Sequence, residues 1–335
     1  MDGVIYKGDQ LIPGVKEFVD WLYRENKEFL FLTNNSSKTP RELQLKLARM
    51  GLEVDESHFY TSALATAKFL SHQSPGCSAY VVGEPGLFNA LHDANITFND
   101  VNPDYVIIGE TISYNYSLIC KATTLVLNGA KLIATNTDLT CPTEEGITPA
   151  CRALIAPIEL TTGKSAYYIG KPNPLMMRTG LQILGIHSAE TAMIGDRMDT
   201  DIIAGIESGM DPILVLSGVT SREEIGQYPH HVGVYARLGV EERLQPRQHR
   251  RPHADVGQCL ARAAAVRTDD VVLEAVQVGV ADPVLRHGAE PRVDAVDDLS
   301  LLEFLQETVT RLHFAQRLVV DPYCGLVENP GVYGI

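Results

Sequence analysis

The first 230 residues read as an α/β protein: a mostly parallel sheet covered by helices on both faces, with a second α/β unit inserted into it. Three observations predict this. Short β-branched or aromatic runs alternate with amphipathic stretches, as in buried strands joined by helices. One helix carries sequence signals at both ends. Polar loops follow strand candidates directly, and in such sheets ligands bind at the carboxyl ends of the strands.

Strand candidates lie at 29–32, 80–82, 105–108, 132–134, 167–169, 192–194 and 213–216. Val15, Phe18, Val19 and Leu22 share one helical face by their i, i+3, i+4, i+7 spacing. In the next helix Thr39 and Glu42 form a capping-box pattern, and Pro40 fits the first turn. Gly51 follows the apolar Leu43, Leu47 and Met50.

A chain of 335 residues is long enough for two domains. Its net charge of -14 argues against a nucleic-acid polymer or an anionic membrane as partner. No apolar run is long enough to span a bilayer, and no basic-then-apolar leader opens the chain. The six cysteines (77, 120, 141, 151, 259, 324) form no C-x-x-C pair and read as free thiols of a reducing, cytoplasmic setting.

Composition changes near His230. The first 230 residues hold ten lysines and seven arginines; from His231 onward there are eleven arginines and no lysine. Isoleucine recurs after that point only as Ile335. The stretch 243–267 has no clear period, and a helical pattern returns near 299–312. His249 and His253 are separated by Pro252 and make a poor metal pair. The 231–335 tail reads either as an appended domain of unknown role or as a foreign or frame-shifted sequence, and composition favours the second.

Four loops carry chemistry: Asp2-Gly3, then Thr33-Asn34-Asn35-Ser36, then Gly170-Lys171-Pro172-Asn173-Pro174, then Gly195-Asp196-Arg197-Met198-Asp199-Thr200-Asp201. Singly, each has a bland reading as a cap, a solvated lysine or a charged turn. Together they supply a hydroxyl and a cation for phosphate oxygens and a carboxylate pair suited to Mg²⁺. Neither a P-loop nor a dinucleotide fingerprint competes.

Residues 2 to about 230 resemble the haloacid dehalogenase (HAD) superfamily, in its subfamily IIA, NagD-like, 4-nitrophenylphosphatase-type branch. The strings that carry the resemblance are DGVIYKG, FLTNNSSKT, YTSALATAKFL, YVVGE, NPDYVIIGET, ATNTDLT, YYIGKPNP, MIGDRMDTDIIAG and ILVLSGVT. The resemblance implies a Rossmannoid core from 1–76 and 165–230, with an α/β cap at 77–164. It implies a Mg²⁺-dependent phosphatase acting through an aspartyl-phosphate on small sugar phosphates or nucleoside monophosphates. Asp2 matches the general acid/base, whose backbone carbonyl also contacts the metal. Thr33 and Asn34 match phosphate-oxygen donors, with Asn35 beside them, and Lys171 matches the clamp. Asp196 and Asp201 match the metal-binding acids, while Asp199 is not required by the pattern and reads as solvated surface. Asn136, Thr137 and Asp138 are placed to face the substrate from the cap or, equally, to form a turn. Caps of this branch often mediate pairing, so a homo-oligomer through the cap is implied.

The resemblance also exposes a departure. The attacking aspartate of the family falls immediately before Met1, and the strand leading to it is the first core strand. The intact Asp2–Tyr6 string predicts that Met1 is the middle residue of an Asp-Met-Asp-Gly sequence. As written, the chain is expected to lack that strand, to leave its neighbours unpaired, and to turn over substrate many orders of magnitude more slowly. The competing reading is a catalytically inactive phosphate-ligand binder. A phospho-accepting receiver domain shares the Asp/Thr/Lys logic, but the insert and the second acid cluster count against it.

Overall fold

Helix α1 (Val15–Arg24) shows how the sequence pattern becomes structure: Val15, Phe18, Val19 and Leu22 are buried on its inner face, with Trp21 beside them. The computed structural model describes residues 1–143, 146–230, 232, 234–239, 272–278 and 293–297. The His249/His253 pair, the 299–312 pattern, Cys259, Cys324 and most of the tail lie outside the described residues.

Before α1 comes a hairpin of β1 (Tyr6–Lys7) and β2 (Gln10–Leu11); after it come β3 (Phe31–Thr33), α2 (Pro40–Arg49), β4 (Phe59–Thr61) and α3 (Ser62–Gln73). Next are β5 (Ser78–Val82), α4 (Pro85–Asp93), β6 (Thr97–Phe98), β7 (Tyr105–Ile108), α5 (Tyr116–Leu127), β8 (Lys131–Ala134), the hairpin β9 (Thr140–Thr143) and β10 (Gly146–Pro149), and α6 (Cys151–Thr162). The chain continues through β11 (Tyr167–Tyr168), α7 (Pro174–Leu184), β12 (Ala192–Gly195), α8 (Ile203–Glu207), β13 (Asp211–Val215) and α9 (Arg222–Ile225). Last are β14 (Val234–Gly239), β15 (Val272–Val278) and β16 (Val293–Asp297).

The capping box forms as the sequence predicts. Glu42 N donates to Thr39 Oγ1 at 3.2 Å, and Thr39 N donates to Glu42 Oε2 at 2.7 Å. Pro40 occupies the first turn, and Gly51 beyond the helix takes φ 88, which a side chain would strain. Each of the seven expected strands is present, with ends shifted by no more than two residues.

A five-stranded parallel sheet runs β11-β8-β7-β5-β6. One face packs Val106, Ile108, Leu132 and Ala134 on α5 and α6. On the other, Ala79, Ile107 and Ile133 share a core with Leu70 of α3, Leu87 of α4, and Met176 and Met177 of α7. Because β11 pairs with β8, the returning chain is part of this sheet. Tyr167 and Tyr168 pair in register with Ile133 and Ala134.

A second group of strands flanks the site. β3 pairs in parallel with β4, and β12 pairs in parallel with β13, which β14 extends. β15 and β16 continue that sheet in antiparallel fashion. Among the described residues β3 and β12 each pair on one side only, and residues of both line a cavity of about 510 Å³. Its walls include Val15, Phe18, Leu32, Met177 and Ile194, so it is largely apolar. Among the described residues no helix is long and apolar enough to cross a membrane.

Candidate active site

The ends of β3, β8, β11 and β12 meet above that cavity, and polar side chains from all four are bonded together. β3 ends at Thr33, whose Oγ1 accepts from Asn35 N at 3.2 Å. The following turn is held by Asn35 Oδ1, which accepts from Ser37 N, Ser37 Oγ and Lys38 N. Thr33 and Asn35 are partly exposed; Asn34 is buried.

Asn34 ties the loops together. Its Oδ1 accepts from Lys171 N at 2.8 Å, and its Nδ2 donates to Lys171 O at 3.1 Å and to both Asp138 carboxylate oxygens at 3.2 Å. Asn34 O accepts from Ser62 Oγ at 2.6 Å and from Asn136 Nδ2 at 2.8 Å. With its amide so engaged, Asn34 holds the loops after β3, β8 and β11 together. Asn136 is fully buried, its amide donating to Asn34 O and, at 3.2 Å, to Glu110 Oε1. The expected substrate contact through Asn136 therefore has no free side-chain donor behind it. Thr137 Oγ1 donates to Lys171 O at 3.1 Å.

Lys171 is buried, and its Nζ donates to Asp201 Oδ1 at 2.6 Å and to Leu32 O at 3.4 Å. Asp201 reaches it because Met198–Ile202 form a π-helical turn ahead of α8. That wide turn folds the Asp201 carboxylate back over β12, where Oδ2 accepts from Asp196 N at 3.2 Å and Arg197 N at 3.3 Å. The approach is close enough that a Cβ on Gly195 would lie 2.1 Å from Asp201 Cβ.

Asp196 Oδ2 accepts from Val219 N at 2.9 Å. Gly3 sits against the same carboxylate with φ +74, where a Cβ would lie 2.5 Å from Asp196 Oδ2. Ser217 Oγ donates to Gly3 O at 2.6 Å, fastening the Asp2–Gly3 segment to the loop after β13. Asp2 itself is exposed at the mouth.

Electrostatics mark the centre. Burial and the neighbouring Asp201 push the Asp196 carboxyl up to about 6. Burial pushes Asp201 the same way, but Lys171, the Met1 amino group and backbone hydrogen bonds prevail and hold it below the usual range.

Comparison with known proteins decides the family. A haloacid dehalogenase-like hydrolase model matches residues 1–97, and a HAD-hydrolase-like model matches 168–237. Dihydroxyacetone phosphatase of Corynebacterium glutamicum is 48% identical over 229 residues, covering 68% of this chain and 83% of that protein. Ribonucleotide monophosphatase NagD of Escherichia coli is 44% identical over 229 residues, covering 68% of this chain and 90% of that protein. The solved NagD structure superposes with a TM-score of 0.66, over 69% of this chain and 91% of that one. The chain belongs to the haloacid dehalogenase-like hydrolases. Within them it falls in the NagD-like branch. The 4-nitrophenylphosphatase of Thermotoga maritima is 34% identical with a TM-score of 0.67, over 69% of this chain and 89% of that one.

In this HAD chain two residues near the centre went unread. Asp199, expected to be solvated surface, is half exposed yet accepts from Arg197 Nε at 3.0 Å and Nη2 at 2.9 Å. The pair fixes a guanidinium close to Asp138 and Asp196, both of which help raise its pKa. Glu110, two residues past β7, stands within the string NPDYVIIGET but carries no spacing signal of its own.

The donor set fits Mg²⁺. Among the described residues no three His, Cys, Asp or Glu side chains converge on one point. Mg²⁺, however, needs only one or two carboxylates and keeps several waters. Asp196, pushed up first by burial and then by the adjacent Asp201, is the kind of crowded carboxylate that a divalent cation relieves.

Proposed function

We propose that this protein is a Mg²⁺-dependent phosphomonoesterase acting on small sugar phosphates or nucleoside monophosphates. The observation that carries this reading is the bonding of Lys171, Asp196 and Asp201 to one another at the ends of β11 and β12, with Lys171 Nζ also reaching Leu32 O beside Thr33 at the end of β3. Named relatives support the substrate class: a dihydroxyacetone phosphatase, a ribonucleotide monophosphatase, and an acid sugar phosphatase of Staphylococcus aureus that is 42% identical over 226 residues, covering 67% of this chain and 87% of that protein.

Thr33 Oγ1 and the adjoining backbone N–H groups donate to phosphate oxygens. Lys171 Nζ, oriented by Asp201, offsets the charge of the transferring group. Asp2, exposed at the mouth, gives a proton to the leaving oxygen and then takes one from the attacking water. Asp196, Asp201 and the Asp2 carbonyl would hold Mg²⁺, which supplies charge neutralisation at the phosphoryl oxygens. In aspartyl-phosphate chemistry the attacking carboxylate lies two residues ahead of Asp2, a position outside the 335 residues. Residues 77–164 act as the cap, its 135–138 loop seated on Asn34 and Lys171.

The test is phosphate release from 4-nitrophenyl phosphate, with Mg²⁺ and with a chelator. It is run on this chain and on one carrying an aspartate two residues ahead of Asp2. Mg²⁺-dependent release by the second form, at least 100-fold above the first, is expected. Phosphate binding without release in both forms would favour the alternative, a non-catalytic phosphate-ligand binder.

A further inference from the structure

We propose that Ser36 is a positioning residue whose buried hydroxyl clamps the inserted unit to the core loop after β3, so that the unit stays seated beside Lys171 with or without ligand. The role concerns how the two parts of the chain are joined and does not depend on the phosphomonoesterase reading. Ser36 directly follows Thr33, Asn34 and Asn35, so whatever it holds is fixed relative to the candidate site. Only 1% of it is exposed.

Three strand ends of the inserted unit are fastened to this one turn. Ser36 Oγ accepts from Glu110 N at 3.3 Å, past β7, and from Thr135 Oγ1 at 3.2 Å, past β8. Those two strands are neighbours in the five-stranded sheet. Next along the turn, Ser37 O accepts from Gly86 N at 3.0 Å, in the first turn of α4 after β5. On the other side of Ser36 in sequence, Asn34 O accepts from Asn136 Nδ2 at 2.8 Å. A hydroxyl suits the middle position because one oxygen offers two lone pairs, enough for donors arriving from two strands. Removing it leaves Glu110 N and the buried Thr135 hydroxyl without that acceptor.

Two glycines show how close the parts lie. A Cβ on Gly86 would stand 2.6 Å from Lys38 C, and one on Gly109 would stand 2.9 Å from Ser36 Oγ. Neither glycine has a positive φ, so a side chain there would disrupt the contact with the turn, and not the backbone conformation. A lid that swings on binding is drawn from the weakly held parts of a structure, with few buried contacts. Here swinging would break the bonds to Ser36, Ser37 and Asn34, together with the Thr137 bond to Lys171 O. The inserted unit is therefore a fixed roof, held by the turn after β3.

Hydrogen exchange followed by mass spectrometry on the full chain tests this, with Mg²⁺ and with or without inorganic phosphate. In the wild-type protein, exchange in peptides covering 84–88 and 108–111 is expected to change by less than about twofold when phosphate is added. Ser36→Ala should speed exchange in those peptides at least about tenfold, while peptides covering 192–195 and 211–215, in β12 and β13, keep their wild-type rates. That contrast separates a local clamp from a general loss of stability, which would speed every peptide. Thr135→Val removes one donor at nearly constant size. It should loosen the same two peptides to a smaller degree, and it stands in should Ser36→Ala fail to fold. Uniform acceleration, no acceleration in either variant, or wild-type peptides at 84–88 and 108–111 that slow at least about tenfold on adding phosphate would overturn the proposal. Release from 4-nitrophenyl phosphate reports separately on the phosphomonoesterase reading, so either can fail alone.

Discussion

Replacing Lys171 by methionine keeps much of the side-chain length and removes the charge that faces Asp201. The pair is short, 2.6 Å, and both side chains are less than a tenth exposed, at 8% and 5%. Water therefore does little to screen the carboxylate left behind, and Asp196 lies beside it with its own pKa already raised to about 6. Removing one partner of a buried pair costs about 3–5 kcal/mol, because the other charge remains unpaired in a poorly solvated place. Trp21 is the single tryptophan of the chain and is buried in α1, so its fluorescence through a urea titration reports on this core. Without added Mg²⁺, Lys171→Met should lower the unfolding free energy by ~3–5 kcal/mol. Adding Asp201→Asn to that variant should recover about 1–3 kcal/mol, since the stranded charge is gone. A loss below about 1 kcal/mol, or strict additivity of the two changes, would refute the claim that these groups stabilise one another.

Three further outcomes follow from local geometry. Gly195→Ala puts a methyl group where Asp201 now lies, so Mg²⁺ affinity measured by calorimetry should fall at least about tenfold, ~1.4 kcal/mol; unchanged affinity would contradict the packing. Asn34→Ala should destabilise the protein by about 1.5–3 kcal/mol in urea unfolding, because its bonds to Asp138 and Lys171 are lost, whereas Asn35→Ala should cost under about 1 kcal/mol. Thr39→Ala should cost about 1 kcal/mol at neutral pH. Glu42 is held below its ordinary value by the Thr39 backbone N–H and by the Thr39 hydroxyl, and the hydroxyl's contribution, which Thr39→Ala removes, is present above the unfolded carboxylate range. That contribution fades as pH falls through the folded value, so the gap between wild type and Thr39→Ala should narrow in acid; a gap that widens would reverse the assignment.

Strands and loops were legible where local chemistry sets the structure. Apolar runs such as 105–108 are buried on both faces, and a buried parallel strand needs no alternation to be visible. The capping box at Thr39 and Glu42 is contained within four residues, so it could be read without tertiary context. Thr33, Lys171, Asp196 and Asp201 were singled out by their positions at or after strands, and in the folded chain Lys171 and Asp196 both bond to Asp201. What could not be read was allegiance. Nothing local tells that Asn34 faces Lys171 across 137 positions, or that Asn136 turns its amide inward to Glu110. The partnership of Asp199 with Arg197 was hidden for another reason, since an acid in a charged turn has solvent as its default neighbour. The strands β1, β2, β4, β6, β9 and β10 were not among the candidates.

The central claim is that the ends of β3, β11 and β12 form a centre where phosphate and Mg²⁺ bind together. Calorimetric titration of inorganic phosphate into the full chain tests it most directly, with and without Mg²⁺, for wild type and Asp196→Asn. The account predicts saturable phosphate binding that requires Mg²⁺ and weakens at least about tenfold, ~1.4 kcal/mol, in the variant. Phosphate binding that ignores both Mg²⁺ and Asp196, or no binding under any condition, would contradict it.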